Sequence, residues 1–204
     1  MNKTKLSLIA LSIGGALLTS CVNLKPVVPK SQNYTLGPVE IQAVDQVDQL
    51  EQGTAVSEAI FITRPHVPTY LDSGRLVYLA GSGEVKQVPV ARWAEPMVEG
   101  IARATALYLN ESTGLGTVVG YYPWPNSNVD AIRLTLNFLR FSATETGEVH
   151  VVARWTLKHS TGEIKSGLFS TEELRWTVAE PESLVAAYND ALKALAVEVL
   201  DHLD

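Results

Sequence analysis

The sequence predicts an α+β fold, a single domain in which a mixed, mostly antiparallel sheet carries two helices on one face. Residues 132–138 and 149–157 alternate apolar and polar side chains, as half-buried strands do. Residues 97–108 and 184–199 each place their apolar side chains on one helical stripe. The resulting order of strands, helix, strands and helix is typical of the α+β class.

The other strands have shorter signals. Aromatic and β-branched residues cluster between glycines and prolines, a pattern typical of strands. The predicted strands cover residues 34–36, 59–63, 76–79, 85–90, 117–122, 132–138, 149–157 and 164–169. Gly81-Ser82-Gly83 separates the third strand from the fourth and predicts a β-hairpin. Pro123-Trp124-Pro125 stops the fifth, because proline cannot continue a central strand.

Proline marks the start of both predicted helices, where its missing N–H costs nothing. Pro96 lies in the first turn of a helix that ends near Asn110, and Pro181 opens the second helix. Residues 70–72 predict a single turn, and the polar residues 45–57 predict a loop.

The N-terminus has the pattern of an export signal. Two lysines within the first five residues precede an apolar run, residues 6–18, that is too short to span a bilayer. Thr19-Ser20 then precede Cys21, the only cysteine of the chain, which resembles the signal of bacterial lipoproteins. The resemblance implies that residues 1–20 are cleaved off and that Cys21 receives acyl chains such as palmitate. The alternative interpretation is an ordinary buried cysteine in an apolar segment.

Residues 21–31 predict an extended tether in front of a domain at residues 32–204. Pro26 and Pro29 break any periodicity, and the tether would span roughly 30 Å. The lipoprotein resemblance also bears on location, because Val22 stands where an aspartate would hold the protein at the inner membrane. It therefore implies the outer membrane, with the domain facing the periplasm.

The acidic composition argues against two classes of partner. The chain has a net charge of −6 at pH 7, and it is more acidic once the signal and its lysines are removed. Nucleic-acid binding requires clustered Lys and Arg, and electrostatic docking on anionic lipid requires a basic surface. We therefore expect no nucleic-acid partner, and a membrane contact made through the lipid anchor.

No combination of residues predicts a metal site, a cofactor site or a catalytic centre. The histidines lack the spacing of zinc ligands; they are His66, His150, His159 and His202. Gly81-Ser82-Gly83 lacks the spacing of a nucleophile elbow. Gly114-Leu115-Gly116 precedes a strand, whereas a dinucleotide loop precedes a helix. We therefore predict a protein that is not an enzyme and binds no metal or cofactor.

The stretch 64–96 combines prolines with the aromatic and arginine side chains that dominate protein interfaces. These side chains are Tyr70, Arg75, Tyr78, Arg92 and Trp93. The alternative is that Tyr78 and Trp93 pack in the core while the arginines are solvated.

Two segments of that stretch resemble a known family. RPHVPTYLDSGRLVY at residues 64–78 and RWAEPM at residues 92–97 resemble the ABC-type transport auxiliary lipoproteins, the PqiC-like family. Ser73-Gly74 departs from the pattern of many members, which affects the expected partner surface. The resemblance implies partner-binding residues at Tyr70, Leu71, Asp72, Arg75, Arg92, Trp93, Glu95 and Pro96.

The resemblance also implies a role. Members act as accessory components in lipid transport between two membranes, together with periplasm-spanning MCE-domain proteins and sometimes an ABC transporter. We therefore expect a non-enzymatic docking lipoprotein of the outer membrane, for which a homo-oligomeric ring would suit a tunnel-forming partner. The alternative is a periplasmic lipid- or small-ligand-binding module with an apolar pocket between sheet and helices. A third reading, an envelope hydrolase, would need a pocket built from residues distant in sequence.

Overall fold

A computed structural model describes residues 30–38, 59–113, 117–126 and 130–203. Within these ranges the strands are β1 (Gln32–Tyr34), β2 (Ile60–Ile62), β3 (Arg75–Leu79), β4 (Val85–Trp93), β5 (Val118–Tyr121), β6 (Ile132–Ala143), β7 (Glu148–Lys158), β8 (Ile164–Ser170) and β9 (Leu174–Arg175). The helices are α1 (Met97–Thr113), α2 (Pro181–Leu200) and a 3-10 helix, Thr69–Ser73. The predictions for the signal 1–20, Cys21, the tether up to residue 29, the loop 45–57 and residues 114–116 lie outside the described residues.

The larger sheet has six strands in the order β5-β2-β6-β7-β8, with β9 beside β7. β6, β7 and β8 are successively antiparallel, whereas β2 runs parallel to both β5 and β6. Along β7, Val149, Val151, Ala153, Trp155 and Leu157 are all buried, as the alternation predicts. One face of this sheet therefore packs in the hydrophobic core.

The smaller sheet has the order β1-β4-β3. β3 and β4 form the predicted hairpin, and β1 lies parallel to β4 on its other side. An isolated bridge between Leu79 and Thr144 connects the hairpin to the end of the larger sheet. The strands thus divide between two sheets, where the sequence predicted one, because neither β1 nor the β3–β4 hairpin forms a ladder with a strand of the larger sheet.

Both helices pack over the inner face of the larger sheet. Trp155 of β7 is only 1% exposed, and its indole Nε1 donates a hydrogen bond to Glu198 Oε1 of α2 at 2.8 Å. The rings of Phe141 on β6 and Tyr188 on α2 lie 4.3 Å apart. α1 packs against α2 and contributes the fully buried Ile101 and Leu109 to the same core.

The predicted α+β class is confirmed, and so is the mostly antiparallel pairing. The single turn predicted at residues 70–72 is the 3-10 helix, and the helix predicted from Pro96 begins one residue later, at Met97. Within the described part of the chain, no helix combines the length and the apolar character needed to cross a bilayer.

Candidate functional site

A cleft of about 530 Å³ opens at the N-terminal end of α1. Four segments that are distant in sequence line it. They are Arg64 after β2, Asp72 and Gly74 at the 3-10 helix, residues 93–99 at the junction of β4 and α1, and Tyr122 after β5. At the β4–α1 junction the carbonyl of Pro96 accepts the backbone N–H groups of Glu99 and Gly100 at 3.0 Å each, which starts the first turn of α1. The cleft is therefore a product of the tertiary fold.

An arginine and a tyrosine, Arg64 and Tyr122, both line the cleft. The guanidinium carbon of Arg64 lies 5.6 Å from the centroid of the Tyr122 ring, which is a cation–π geometry. Two residues further along, Trp124 is 65% exposed, and its backbone N–H donates to the carbonyl of Tyr121 in a tight turn at 3.0 Å. A tryptophan this exposed contributes little to the core, so its large apolar surface is available to a partner.

Glu95 lines the cleft but is already bound within the domain. Its carboxylate accepts hydrogen bonds from Arg103 Nη2 of α1 at 2.6 Å and from Thr35 Oγ1 at 2.7 Å. Arg103 Nη2 also donates to the carbonyl of Leu36 at 2.6 Å. Burial alone would raise the pKa of Glu95, but the hydrogen bonds from Arg103 and Thr35 outweigh it and hold that pKa below its ordinary value. Glu95 thus ties the segment after β1 to α1.

Trp93 lies at the base of the cleft and belongs to the core. It is 8% exposed, and its ring lies 6.4 Å from that of Tyr188. Of the predicted partner-binding residues, the cleft brings together Asp72, Trp93, Glu95 and Pro96. Among these four, Asp72 and Pro96 are exposed.

The other predicted residues lie outside the cleft lining. Leu71 is 2% exposed, and the half-buried Tyr70 donates its hydroxyl to the carbonyl of Phe141 at 3.1 Å. Arg75 and Arg92 are directly opposite each other on β3 and β4, and Arg92 is exposed. Tyr70 and Leu71 therefore have structural contacts, and the two arginines form a small basic pair on the smaller sheet.

Sequence reasoning did not select Arg64, Tyr122 and Trp124 as site residues. Pro123-Trp124-Pro125 predicts only the end of a strand, and nothing local in the sequence indicates that β5 ends beside residue 64. The available signal is the tryptophan itself, since a large aromatic between two prolines in a turn has no strand or helix to bury it. Among the described residues, no three His, Cys, Asp or Glu side chains are grouped so as to hold a metal ion.

Comparisons with known proteins place these observations in a family. The family model for the ABC-type transport auxiliary lipoprotein component matches residues 34–200. No curated protein matches the chain. The fold is similar to that of an uncharacterized protein of known crystal structure, with a TM-score of 0.65, 16% identity, and coverage of 86% of this chain and 100% of that one.

A second crystal structure, of protein XCC0632 from Xanthomonas campestris, has a TM-score of 0.51 and 19% identity. That likeness covers 70% of this chain and 81% of the other. At these identities the two structures support the fold alone. The match of the family model over most of the chain shows the family, and the chain belongs to the ABC-type transport auxiliary lipoproteins.

Proposed function

We propose that this lipoprotein is the non-enzymatic docking component of an MCE-type lipid transport system, held at the outer membrane and facing the periplasm. The observation that carries the proposal is the 65% exposed Trp124, which follows Tyr122 by two residues, together with the Arg64–Tyr122 pair that lines the cleft. Tryptophan, tyrosine and arginine are the residues that most often dominate binding energy at protein interfaces. A periplasm-spanning MCE-domain protein, with or without an ABC transporter, is the proposed partner.

The rigidity of this surface supports a binding role. Pro123 and Pro125 flank Trp124, and Pro96 lines the cleft. Proline restricts the backbone before binding, so less conformational entropy is lost when a partner is captured. The surface is therefore preorganised.

The anchor supplies the second part of the mechanism. A lipidated Cys21 with a tether at residues 21–31 would keep the domain within roughly 30 Å of the bilayer. Confinement of this kind raises the effective concentration of the domain toward any partner that reaches the same membrane. A homo-oligomer would multiply this effect by presenting several clefts to one partner.

A second candidate function is the binding of a lipid or small ligand. The volume of about 530 Å³ falls in the range of ligand sites, which favours this candidate. The cleft lies at the N-terminal end of α1, however, whereas the ligand-binding alternative from the sequence placed its apolar pocket between the sheet and the helices. Native mass spectrometry of the purified protein tests this candidate, since a co-purified lipid would support it.

The docking proposal is tested by measuring the affinity for the MCE partner of the same organism. Trp124→Ala should raise Kd by roughly thirtyfold, the effect of losing an interface hot spot of about 2 kcal/mol. Val197→Ala is the matched control, because Val197 is 46% exposed on α2 and away from the cleft. Both variants should keep the wild-type circular dichroism spectrum. A Kd that is unchanged in Trp124→Ala and in Arg64→Ala would refute the assignment of this surface.

A further inference from the structure

The outer face of the larger sheet, opposite the helices, has a charge unlike that of the whole chain. Four exposed cations project from it: Arg133 and Arg140 on β6, and Arg154 and Lys158 on β7. The chain as a whole has a net charge of −6. The folded protein therefore has one basic face although the chain as a whole is acidic.

The strand register concentrates these cations. Arg133 is directly opposite Lys158, and Arg154 is opposite Asn137, on strands about 4.8 Å apart. Like charges placed directly opposite each other destabilise a sheet. The row between them is uncharged, with Thr135 opposite Thr156. This arrangement does not serve the stability of the sheet, which suggests that it serves binding.

The four cations are not neutralised within the described part of the chain. None of them lies within 4.0 Å of a carboxylate there, and Arg140 Nε donates to the neutral Ser142 Oγ at 3.2 Å. The carboxylate of Glu148, at the end of the same face, is occupied by His150 at 3.7 Å and Arg175 at 3.9 Å. The face therefore presents uncompensated positive charge.

Large apolar side chains border the cations. Leu139, Ile164 and Leu168 are 55%, 61% and 59% exposed. Leu139 lies at a register shift between Phe138 and Arg140, where the bulge leaves its side chain on the surface. Exposed aliphatic groups next to unpaired arginines match the chemistry of a lipid surface, where phosphates lie above acyl chains.

We infer that this face docks on an anionic bilayer surface, with the arginines on lipid phosphates and the three aliphatic side chains at the headgroup boundary. Arginine binds phosphate in a bidentate manner, and each Lys or Arg near an anionic membrane contributes to attachment. The net charge argued against such docking, but charges farther away than the Debye length of about 8 Å are largely screened. The carboxylates on the helices therefore contribute little to the electrostatic potential at the outer sheet face.

The family assignment puts a bilayer within reach of the domain, which favours lipid over an acidic protein as the partner. Docking by the sheet face would turn α1 and α2 away from the bilayer and leave the cleft at the start of α1 accessible. The inference rests on the family assignment and not on the cleft. A negative result in the vesicle assay therefore does not refute the docking of a protein partner at the cleft, and a negative result in the partner assay does not refute lipid binding by the sheet face.

Vesicle co-sedimentation tests the inference on residues 21–204 carrying Cys21→Ser, so that no acyl chain contributes. The wild-type face should bind vesicles with about 30 mol% phosphatidylglycerol at low salt, release at about 300 mM salt, and ignore pure phosphatidylcholine. Arg133→Ala with Arg154→Ala should lower the partition coefficient by roughly thirtyfold, because each basic residue contributes about fivefold.

Lys86→Ala with Lys193→Ala is the matched control, since it removes the same charge from β4 and α2 and should change the partition coefficient by less than about twofold. Equal losses in the two double variants would show a net-charge effect and overturn the inference. Absence of binding to phosphatidylglycerol vesicles would also overturn it and leave the face to an acidic protein surface. Leu168→Ser, which removes an aliphatic contact but no charge, should weaken binding without altering its salt dependence.

Discussion

At the scale of single residues, Glu95 connects the start of the domain to its first helix. Its carboxylate is ionised in the folded protein because Arg103 and Thr35 hydrogen-bond to it, and its pKa is lowered from 4.5. A carboxyl group with a lowered folded-state pKa stabilises the protein above its unfolded pKa, and this contribution is lost as the pH falls through the folded value. The interaction is therefore present at neutral pH and absent in strong acid.

This predicts that Glu95→Gln lowers the free energy of unfolding at pH 7 and flattens its decrease between about pH 5 and pH 3. Urea denaturation at several pH values measures the effect. Glu172→Gln, which changes an exposed carboxylate after β8, is the control and should keep the wild-type profile. A wild-type pH profile in Glu95→Gln would show that the ion pair adds nothing to stability.

Trp93 shows what the sequence can and cannot predict about a single side chain. Its neighbours Arg92 and Pro96 favour an interface, while its place near a strand favours the core, and the sequence leaves both open. In the structure Val88, Ala91 and Trp93 of β4 are buried, which breaks strict alternation. Val90 has a φ of 55°, and this irregularity turns the last residues of β4 so that Trp93 faces inward. No local pattern indicates such a backbone angle at a valine.

At the scale of elements, the close approach of β7 and β8 depends on one glycine. Gly167 lies opposite Trp155, and a Cβ atom at position 167 would overlap the indole ring. The ring cannot move away easily, because Trp155 is 1% exposed and hydrogen-bonded to α2 through Glu198. Strand β8 and helix α2 thus both contact the same indole ring.

Gly167→Ala should therefore reduce the free energy of unfolding by about 1–3 kcal/mol, the usual cost of overpacking a core. The midpoint of urea unfolding reports this loss. Ser166→Ala, one residue earlier and on the exposed face, should stay within about 0.5 kcal/mol of wild type. If both variants unfold at the wild-type urea concentration, the space between Gly167 and Trp155 admits a methyl group and the glycine is not required there.

The elements that the sequence predicts best are those with long apolar patterns. β6 and β7 alternate over many residues, and α1 and α2 each carry a buried stripe behind a proline, so their type and position follow from local signals. β1 has only three residues and pairs in parallel with β4, almost sixty positions away. A pairing of that kind depends on tertiary contacts such as Thr35 with Glu95, which leave no periodic trace in the sequence. The division into two sheets was missed for this reason.

At the scale of the whole molecule, the two proposed surfaces have different tasks. The cleft at the start of α1, with the exposed Trp124 two residues after Tyr122 of its lining, is the proposed surface for a protein partner. The outer sheet face, with its arginines, is the proposed surface for lipid. A lipid anchor would serve both, since it would keep the domain at the membrane where the partner arrives. We therefore expect one lipidated residue, Cys21, to fix the location of the protein.

Cell fractionation of wild type and Cys21→Ser tests this claim most directly. After a high-salt wash that removes electrostatic attachment, the wild-type protein should sediment with the outer membrane, because two or three acyl chains on Cys21 would hold it there. The variant should appear in the soluble periplasmic fraction. Retention of Cys21→Ser in the washed outer membrane at the wild-type level would contradict the account.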